Sequence, residues 1–208
     1  MNEFFTPELL RQRISGEPKE NKAVNVLLWV MIAVMTVFVV LKGFVYTTVY
    51  VSGGSMLPNL KNGDYLVGNR LSAALGLYGR GDVIVVNVEE DNHGWASTDG
   101  KKIIKRVIAL EGETVDIKDG LVYIDGKLLD EPYIPSAYVT ERIMNGLGLS
   151  FPYVVGENEV FVLGDNREIS KDSRYKEYAD ITKSDVFAVI PEWAMRGKGI
   201  SLSGSTAG

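Results

Sequence analysis

The sequence predicts a mainly β protein: an antiparallel β-sheet domain with an inserted, hairpin-rich subdomain, preceded by one N-terminal transmembrane helix. Residues 23–41 contain no charged residue. From residue 44 onward the chain shows short apolar runs, rich in Val, Ile and aromatic residues, that are bounded by Gly, Asp or Asn. Asp-Gly pairs flank Leu121–Ile124 on both sides, which is a strong signal for successive hairpins.

The apolar segment 23–41 is long enough to cross a bilayer. As a helix it spans about 28 Å at about 1.5 Å per residue, close to the hydrocarbon thickness. A buried core helix would carry a polar stripe, and this segment carries none. A cleaved signal peptide is the alternative, but Lys42 and Gly43 follow where a small-x-small cleavage site is expected. The segment therefore predicts an uncleaved signal-anchor.

The charges around this segment predict its orientation. Four basic residues lie in residues 1–22, whereas only Lys42 and Lys61 lie in the twenty residues after the span. The positive-inside rule then makes residues 1–22 a cytoplasmic tail and residues 42–196 an extracytoplasmic domain. Residues 197–208 are rich in Gly and Ser and predict a flexible tail.

Short apolar runs predict the strands of the domain in order. They are residues 44–51, 82–88, 103–110, 121–124, 159–163 and 185–190. Ser72–Leu77 predicts one helical turn or two. Residues 116–158 contain the Asp-Gly hairpins and separate two polar motifs, so we expect them to form the inserted subdomain.

Composition excludes several kinds of chemistry. The net charge is −5 and no block of Lys or Arg is present, so we expect no nucleic-acid partner. The chain has no cysteine, and its only histidine, His93, has no motif around it. No cluster of histidines and carboxylates suggests a metal site, and we expect no cofactor. A hydrolase built from this chain would have to activate a hydroxyl with an amine.

The segment Ser52–Leu60 (SGGSMLPNL) offers such a hydroxyl at Ser55. A serine after two glycines is ordinarily a turn residue. Here the glycines free the backbone for a close approach, and Pro58 stiffens the exit from the turn. Such a turn can present both the Oγ and the backbone N–H of the serine to a carbonyl group, as a nucleophile and an oxyanion hole require.

The segment Ile104–Glu113 (IKRVIALEGE) offers an amine at Lys105. A Lys-Arg pair on a strand is ordinarily solvated, but strand alternation places Lys105 and Arg106 on opposite, half-apolar faces. As a general base, Lys105 needs its pKa lowered from about 10.4 to near 7, which costs about 4 kcal/mol. Burial among apolar groups disfavours the ammonium form and can produce a change of this size.

These segments resemble those of the type I signal peptidases, membrane-bound Ser/Lys peptidases that remove signal peptides from secreted preproteins. The resemblance covers most of the chain. The apolar span, SGGSMLPNL, Gly81–Val86 (GDVIVV), KRVIALEGE and Gly164–Arg174 (GDNREISKDSR) follow one another in the order typical of the family. Four motifs in this order after an apolar span indicate the family far more specifically than any one motif does.

The resemblance implies Ser55 as nucleophile and Lys105 as general base. Ser170 matches a serine whose hydroxyl orients that lysine, and Asp172 and Arg174 match a structural salt bridge. Three further residues of the motifs are expected to support the site through an ionic network: Arg106, Asp165 and Arg167. For the stretch from Asp165 to Arg174, a polar turn between strands is the alternative, and for Asp172 and Arg174 we expect a supporting role within the active site.

The resemblance also implies substrates with small residues at positions −1 and −3 before the cleavage site, and hence shallow apolar pockets. Met56 and Gly53 are the pocket residues that the motif indicates. Gly53 replaces a serine that helps form the oxyanion hole in some members, so the hole depends on the Ser55 N–H, with water or Ser52. Asn59 stands where threonine is usual.

The implied partners are secretory preproteins, the lipid bilayer and the secretion translocon, at the outer face of a bacterial cytoplasmic membrane. The short link from the span to Ser55 predicts that the apolar residues of 44–51, with Met56 and Leu57 at a rim, face the bilayer. Filling of the β core is the alternative for about half of them.

Two other functions are less consistent with the sequence. Self-cleaving Ser/Lys peptidases of the repressor type carry a DNA-binding N-terminal domain, whereas this chain has an apolar span there. A non-enzymatic, membrane-anchored assembly factor would lack the serine or the lysine, and both are present.

Overall fold

The computed structural model describes residues 21–88, 101–135, 139–141 and 146–196. Most of the expected cytoplasmic tail, His93 and the expected C-terminal tail lie outside these residues. The chain divides into two compact units, Met1–Gly43 and Phe44–Gly208.

The first described element is a 24-residue helix, α1, from Lys22 to Val45. By length and composition it can cross a membrane, and none of its residues is buried. The expected span ended at residue 41 and a strand was expected from Phe44. The expected start of the strand at Phe44 was wrong, because no proline interrupts the chain there and the backbone stays helical through Val45.

Ten strands follow in the part of the chain that the structure describes. In chain order they are β1 Tyr46–Tyr50, β2 Tyr65–Asn69, β3 Val83–Val88, β4 Lys101–Leu110, β5 Thr114–Lys118, β6 Leu121–Ile124, β7 Lys127–Leu128, β8 Tyr153–Val154, β9 Val160–Leu163 and β10 Val186–Ile190. Six of them form one sheet in the order β1-β2-β10-β3-β4-β9, and four form another in the order β7-β6-β5-β8. Every pairing in both sheets is antiparallel, which confirms the predicted fold class.

The smaller sheet contains both predicted hairpins. Lys118 pairs with Leu121 and Ile124 pairs with Lys127, so each connection has two residues. Both residues of each Asp-Gly turn have positive φ, at 49° and 77° in the first and 50° and 78° in the second. A type I′ turn requires this conformation, which Gly adopts at little cost and Asp tolerates.

Four strands have no counterpart in the predicted runs: β2, β5, β7 and β8. They are short or interrupted by polar residues and glycine, so the apolar pattern is weak. The expected helical turn is α2, Arg70–Ala74, which begins two residues early because Asn69 caps it by accepting the Ser72 N–H. A last helix, α3, spans Glu192–Arg196.

Strand β4 lies inside the larger sheet, between β3 and β9. Ile104 packs in one apolar cluster with Val83 and Val85, and Val107 packs in another with Ile84 and Val86. Apolar groups therefore cover both faces of β4. Lys105 and Arg106 are buried by this position in the sheet, and each of them needs a polar partner.

Candidate active site

Ser55 lies in a turn that leaves β1 and returns to β2. Backbone hydrogen bonds from Val51 N to Asp64 O and from Gly63 N to Val51 O, both 2.9 Å, close this loop at its base. Gly53 has φ +92°, and its N–H donates to Asn62 Oδ1 at 2.9 Å. The glycine is therefore needed for a backbone conformation that other residues rarely adopt.

Lys105 approaches Ser55 from the middle of β4. It pairs with Ile84 of β3, and only 3% of its surface is exposed. Its Nζ donates a hydrogen bond to Ser55 Oγ at 3.0 Å, across 50 positions of sequence. The structure thus brings together the two residues that the sequence paired, within the reach that proton transfer requires.

A second turn follows β9 and packs against the Ser55 turn. Asn166 N donates to Ser55 O at 3.0 Å. A Cβ on Gly164 would come within 2.5 Å of Ser55 O and 2.2 Å of Ser170 Oγ. Real Cβ atoms do not approach so closely, so glycine at position 164 lets the two turns meet.

Asp172 and Arg174 hold this second turn closed. Arg174 Nε donates to Asp172 Oδ1 at 2.8 Å, and Asp172 Oδ2 accepts the Gly164 N–H at 3.1 Å. Arg174 Nη2 also donates to the carbonyl oxygens of Arg167 and Ser170. Both charged side chains are fully buried, and the pairing expected for them is present.

Arg106 and Asp165 form a second buried ion pair beside the first. Arg106 donates from Nε to Asp165 Oδ1 at 2.8 Å and from Nη2 to Oδ2 at 2.7 Å. Its Nη1 donates to Gly81 O at 2.7 Å. Such bidentate geometry is the strongest form of the pair and fixes orientation as well as distance.

Arg167 reaches away from the Ser55 turn, into the segment that follows β7. It donates to both carboxylate oxygens of Glu131, to Thr140 Oγ1 and to Gly164 O. Burial acts to lower the pKa of this guanidinium, but the hydrogen bonds and charge of Glu131 outweigh it, and the pKa is raised. Arg167 supports the turn as a permanent cation.

Ser170 does not make the contact expected of it. Its Oγ is buried and has no hydrogen-bond partner among the described residues, so no hydrogen bond from it orients Lys105 in this structure. Its backbone N–H donates to Asn166 O at 3.1 Å and helps shape the turn.

Met56 is buried in the apolar core, with 2% of its surface exposed, beside Leu60 and Leu66. The expectation that it forms part of an exposed apolar rim was wrong, because the turn directs its side chain inward. The apolar groups beside Gly54 are Leu57, which is half-buried, and Ile169, which is 61% exposed.

Several residues of the site were not predicted. Asn59 binds Asp165, Asn62 binds the Gly53 N–H, and Tyr133 packs its ring 4.0 Å from the Arg106 guanidinium. The threonine-to-asparagine difference at position 59 was a usable signal. Tyr133 and Glu131 lie outside the motifs, and nothing local in the sequence marks them.

Comparison with known proteins places this chain in a family. The family model for signal peptidase, peptidase S26, matches residues 23–199. Signal peptidase I S of Bacillus subtilis (strain 168) is 32% identical over 162 residues, which are 74% of this chain and 81% of the relative. Probable signal peptidase I-1 of Synechocystis sp. is 37% identical over 145 residues, 69% of each protein.

A crystal structure of a signal peptidase I from Enterococcus faecalis V583 is 29% identical, with a TM-score of 0.42, and covers 55% of this chain and 97% of its own. The match to the family model extends from the apolar helix through the Ser55 turn and strand β4, which carries Lys105, to residue 199. On the strength of these sequence matches, the chain belongs to the signal peptidase family, peptidase S26.

Proposed function

We propose that this chain is a membrane-bound serine endopeptidase that removes N-terminal signal peptides from secretory preproteins after small-x-small sites. Family membership supports the reaction class. The observation that carries the mechanism is the 3.0 Å hydrogen bond between Lys105 Nζ and Ser55 Oγ. Ser55 is then the nucleophile and Lys105 the general base.

The first half of the reaction forms an acyl-enzyme. Neutral Lys105 takes the Ser55 proton as Oγ attacks the carbonyl carbon of the residue before the cleavage site. The Ser55 N–H donates to the oxyanion that develops. Lys105 then returns the proton to the leaving amine, the C–N bond breaks, and the mature protein departs with a new N-terminus.

The second half releases the signal peptide. Lys105 accepts a proton from a water molecule, whose oxygen attacks the ester carbon of the acyl-enzyme. The ester C–O bond breaks, Ser55 Oγ regains a proton from Lys105, and the signal peptide leaves with a C-terminal carboxylate. The amine of Lys105 therefore transfers protons in both halves of the reaction.

The burial of Lys105 supports its role as a base. Its side chain emerges from a strand with apolar groups on both faces, and 3% of its surface is exposed. Taking an ammonium group out of water disfavours its charged form. Arg106, the next residue along the strand, forms an ion pair with Asp165.

The surface beside Ser55 supports a preference for small residues. Met56 and Gly53 are the proposed pocket residues next to the nucleophile, and Met56 is buried. Leu57 and Ile169 flank Gly54, the residue before Ser55. We expect these two side chains to leave room for only a small residue before the cleavage site.

The α1 helix supports anchoring in a membrane. We infer that residues 1–22 lie in the cytoplasm, that residues 23–41 form the core of the span, and that residues 42–196 face the outer side of a bacterial cytoplasmic membrane. In this arrangement, the inserted subdomain comprises about residues 116–158. The lipid bilayer and the secretion translocon are the remaining proposed partners.

Cleavage of a preprotein by the purified full chain in detergent tests the proposal. Wild type should release the signal peptide after an Ala-x-Ala site, and Ser55→Ala should be inactive while folded. Lys102→Ala is the matched control for Lys105→Ala, because Lys102 lies on the same strand but is exposed. Cleavage by Ser55→Ala at the wild-type rate would exclude Ser55 as the nucleophile.

A further inference from the structure

Asn59 connects parts of the site that the motifs leave separate. Its side chain is 8% exposed. Its amide nitrogen donates to Asp165 Oδ2 at 2.7 Å and to the backbone oxygen of Tyr133 at 2.6 Å. A side-chain amide nitrogen has two N–H groups, so both of them are used.

The hydrogen bond from Asn59 to Asp165 links the turn of the nucleophile to the strand of the base. The Asp165 carboxylate binds Asn59, four positions after Ser55, and also binds Arg106, the residue after Lys105. One buried carboxylate therefore ties the turn that carries Ser55 to the strand that carries Lys105.

The contact with Tyr133 adds a segment that lies between β7 and β8, in the region of the smaller sheet. The ring of Tyr133 lies 4.0 Å from the Arg106 guanidinium, and its hydroxyl donates to Glu131 Oε1 at 2.9 Å. Glu131 in turn binds Arg167. The contacts close into a ring that passes through Asn59, Asp165, Arg106 and Tyr133.

We propose that Asn59 is a positioning residue, which sets the geometry of the Ser55 and Lys105 pair by bridging Asp165 and the Tyr133 carbonyl. The proposal rests on the proposed function of that pair. A threonine, usual at this position by resemblance, has one hydroxyl donor and can serve only one of the two acceptors. In this chain, the geometry of the Ser55 and Lys105 pair therefore also depends on the position of the Glu131–Tyr133 segment, to which Asn59 is bonded.

The test measures kcat and KM separately on a preprotein, with the full chain in detergent. Asn59→Ala should lower kcat by about 10- to 100-fold, because a displacement of the reacting atoms of about 1 Å costs this much. KM should stay within about threefold of the wild-type value, because the Asn59 side chain is buried and does not lie on the exposed side of the Ser55 turn. Asn59→Thr should also have a lowered kcat, because a threonine hydroxyl can donate to only one of the two acceptors, Asp165 Oδ2 and the Tyr133 carbonyl oxygen.

Hydrogen exchange gives a second readout, because backbone amides in residues 129–135 should exchange faster in Asn59→Ala. Asn69→Ala is the control: Asn69 also uses its side chain to hold backbone, at the start of α2, and its loss lowers stability without touching this ring. Its kcat and its exchange at 129–135 should match those of wild type.

Wild-type kcat in Asn59→Ala, full recovery in Asn59→Thr, or an equal loss in Asn69→Ala would each overturn the proposal. If Asn59→Ala does not fold, Asn59→Thr alone decides. Failure of wild type itself to cleave the preprotein would instead overturn the proposed function.

Discussion

Lys105 and Arg106 are consecutive cations of one strand, and both are buried, with 3% and 2% of their surfaces exposed. Strand alternation sends them to opposite faces. Lys105 meets the hydroxyl of Ser55, and Arg106 meets the carboxylate of Asp165. The same rigid strand thus carries the proposed base and the anchor of the turn that packs against the nucleophile.

We expect Lys105→Arg to be inactive although it keeps the positive charge. A guanidinium cannot release its proton at accessible pH, so it cannot accept the proton of Ser55. Single-turnover cleavage of a preprotein measures this directly, with thermal unfolding to show that the variant is folded. Cleavage within about tenfold of the wild-type rate would show that position 105 does not act as a base.

We expect Asp165→Ala to lower the free energy of unfolding by about 3–5 kcal/mol, because it leaves the Arg106 guanidinium buried without its partner. Lys183→Ala is the control, since its ion pair with Glu111 is exposed to solvent and should contribute little to stability. Urea unfolding measures both. Equal losses would show that burial does not decide the strength of these pairs.

The sequence predicted the alternation of β4 and the placement of Lys105 and Arg106 on opposite faces. It predicted the partners of these two residues less completely. Ser55 and Asp165 lie in motifs, so resemblance pointed to them. Asn59 and Tyr133 are joined by a contact across 74 positions, and no local pattern encodes such a contact.

The fold was predictable where turn chemistry was explicit. Both hairpins predicted at the Asp-Gly pairs are present, because these dipeptides favour the positive φ values of the turn. Strand β8, with two residues, has no such signal and is defined only by its pairing with β5. Met56 was misplaced because an apolar residue beside an exposed turn can point either way.

The two hairpin glycines provide a matched test of packing. Both have positive φ, so alanine at either should cost about 1–2 kcal/mol in backbone strain. A Cβ on Gly120 would also lie 2.4 Å from Val139 Cγ1, whereas a Cβ on Gly126 meets nothing within 4 Å. We expect Gly120→Ala to lose a further 1–3 kcal/mol, roughly the cost of overpacking. Equal urea midpoints would show that the segment at Val139 does not pack on the hairpin.

We expect thiol reagents and metal chelators to leave cleavage unchanged. The chain contains no cysteine, and in the proposed mechanism a serine and a lysine perform each proton transfer. Preprotein cleavage after incubation with a chelator or an alkylating reagent tests this. Loss of activity that returns on addition of a divalent metal would contradict the mechanism.

The last prediction concerns the surface of β1 and β2. Tyr46, Tyr50 and Tyr65 are 40%, 53% and 69% exposed, and the rings of Tyr50 and Tyr65 lie 5.2 Å apart. Tyrosine is favoured where an apolar environment meets water, as at a membrane interface. We expect these residues, rather than Met56, to contact the bilayer.

A full-length variant with all three tyrosines changed to serine should therefore cleave a vesicle-inserted preprotein several-fold more slowly than wild type, and a short soluble peptide at the same rate. The control carries Leu121→Ser and Leu128→Ser, which remove exposed apolar groups from the smaller sheet. Because these leucines lie away from β1 and β2 in the sequence and in a different sheet, their loss should not affect cleavage in vesicles. Equal slowing in both variants would indicate a general effect of lost apolar surface and would contradict docking through the tyrosines.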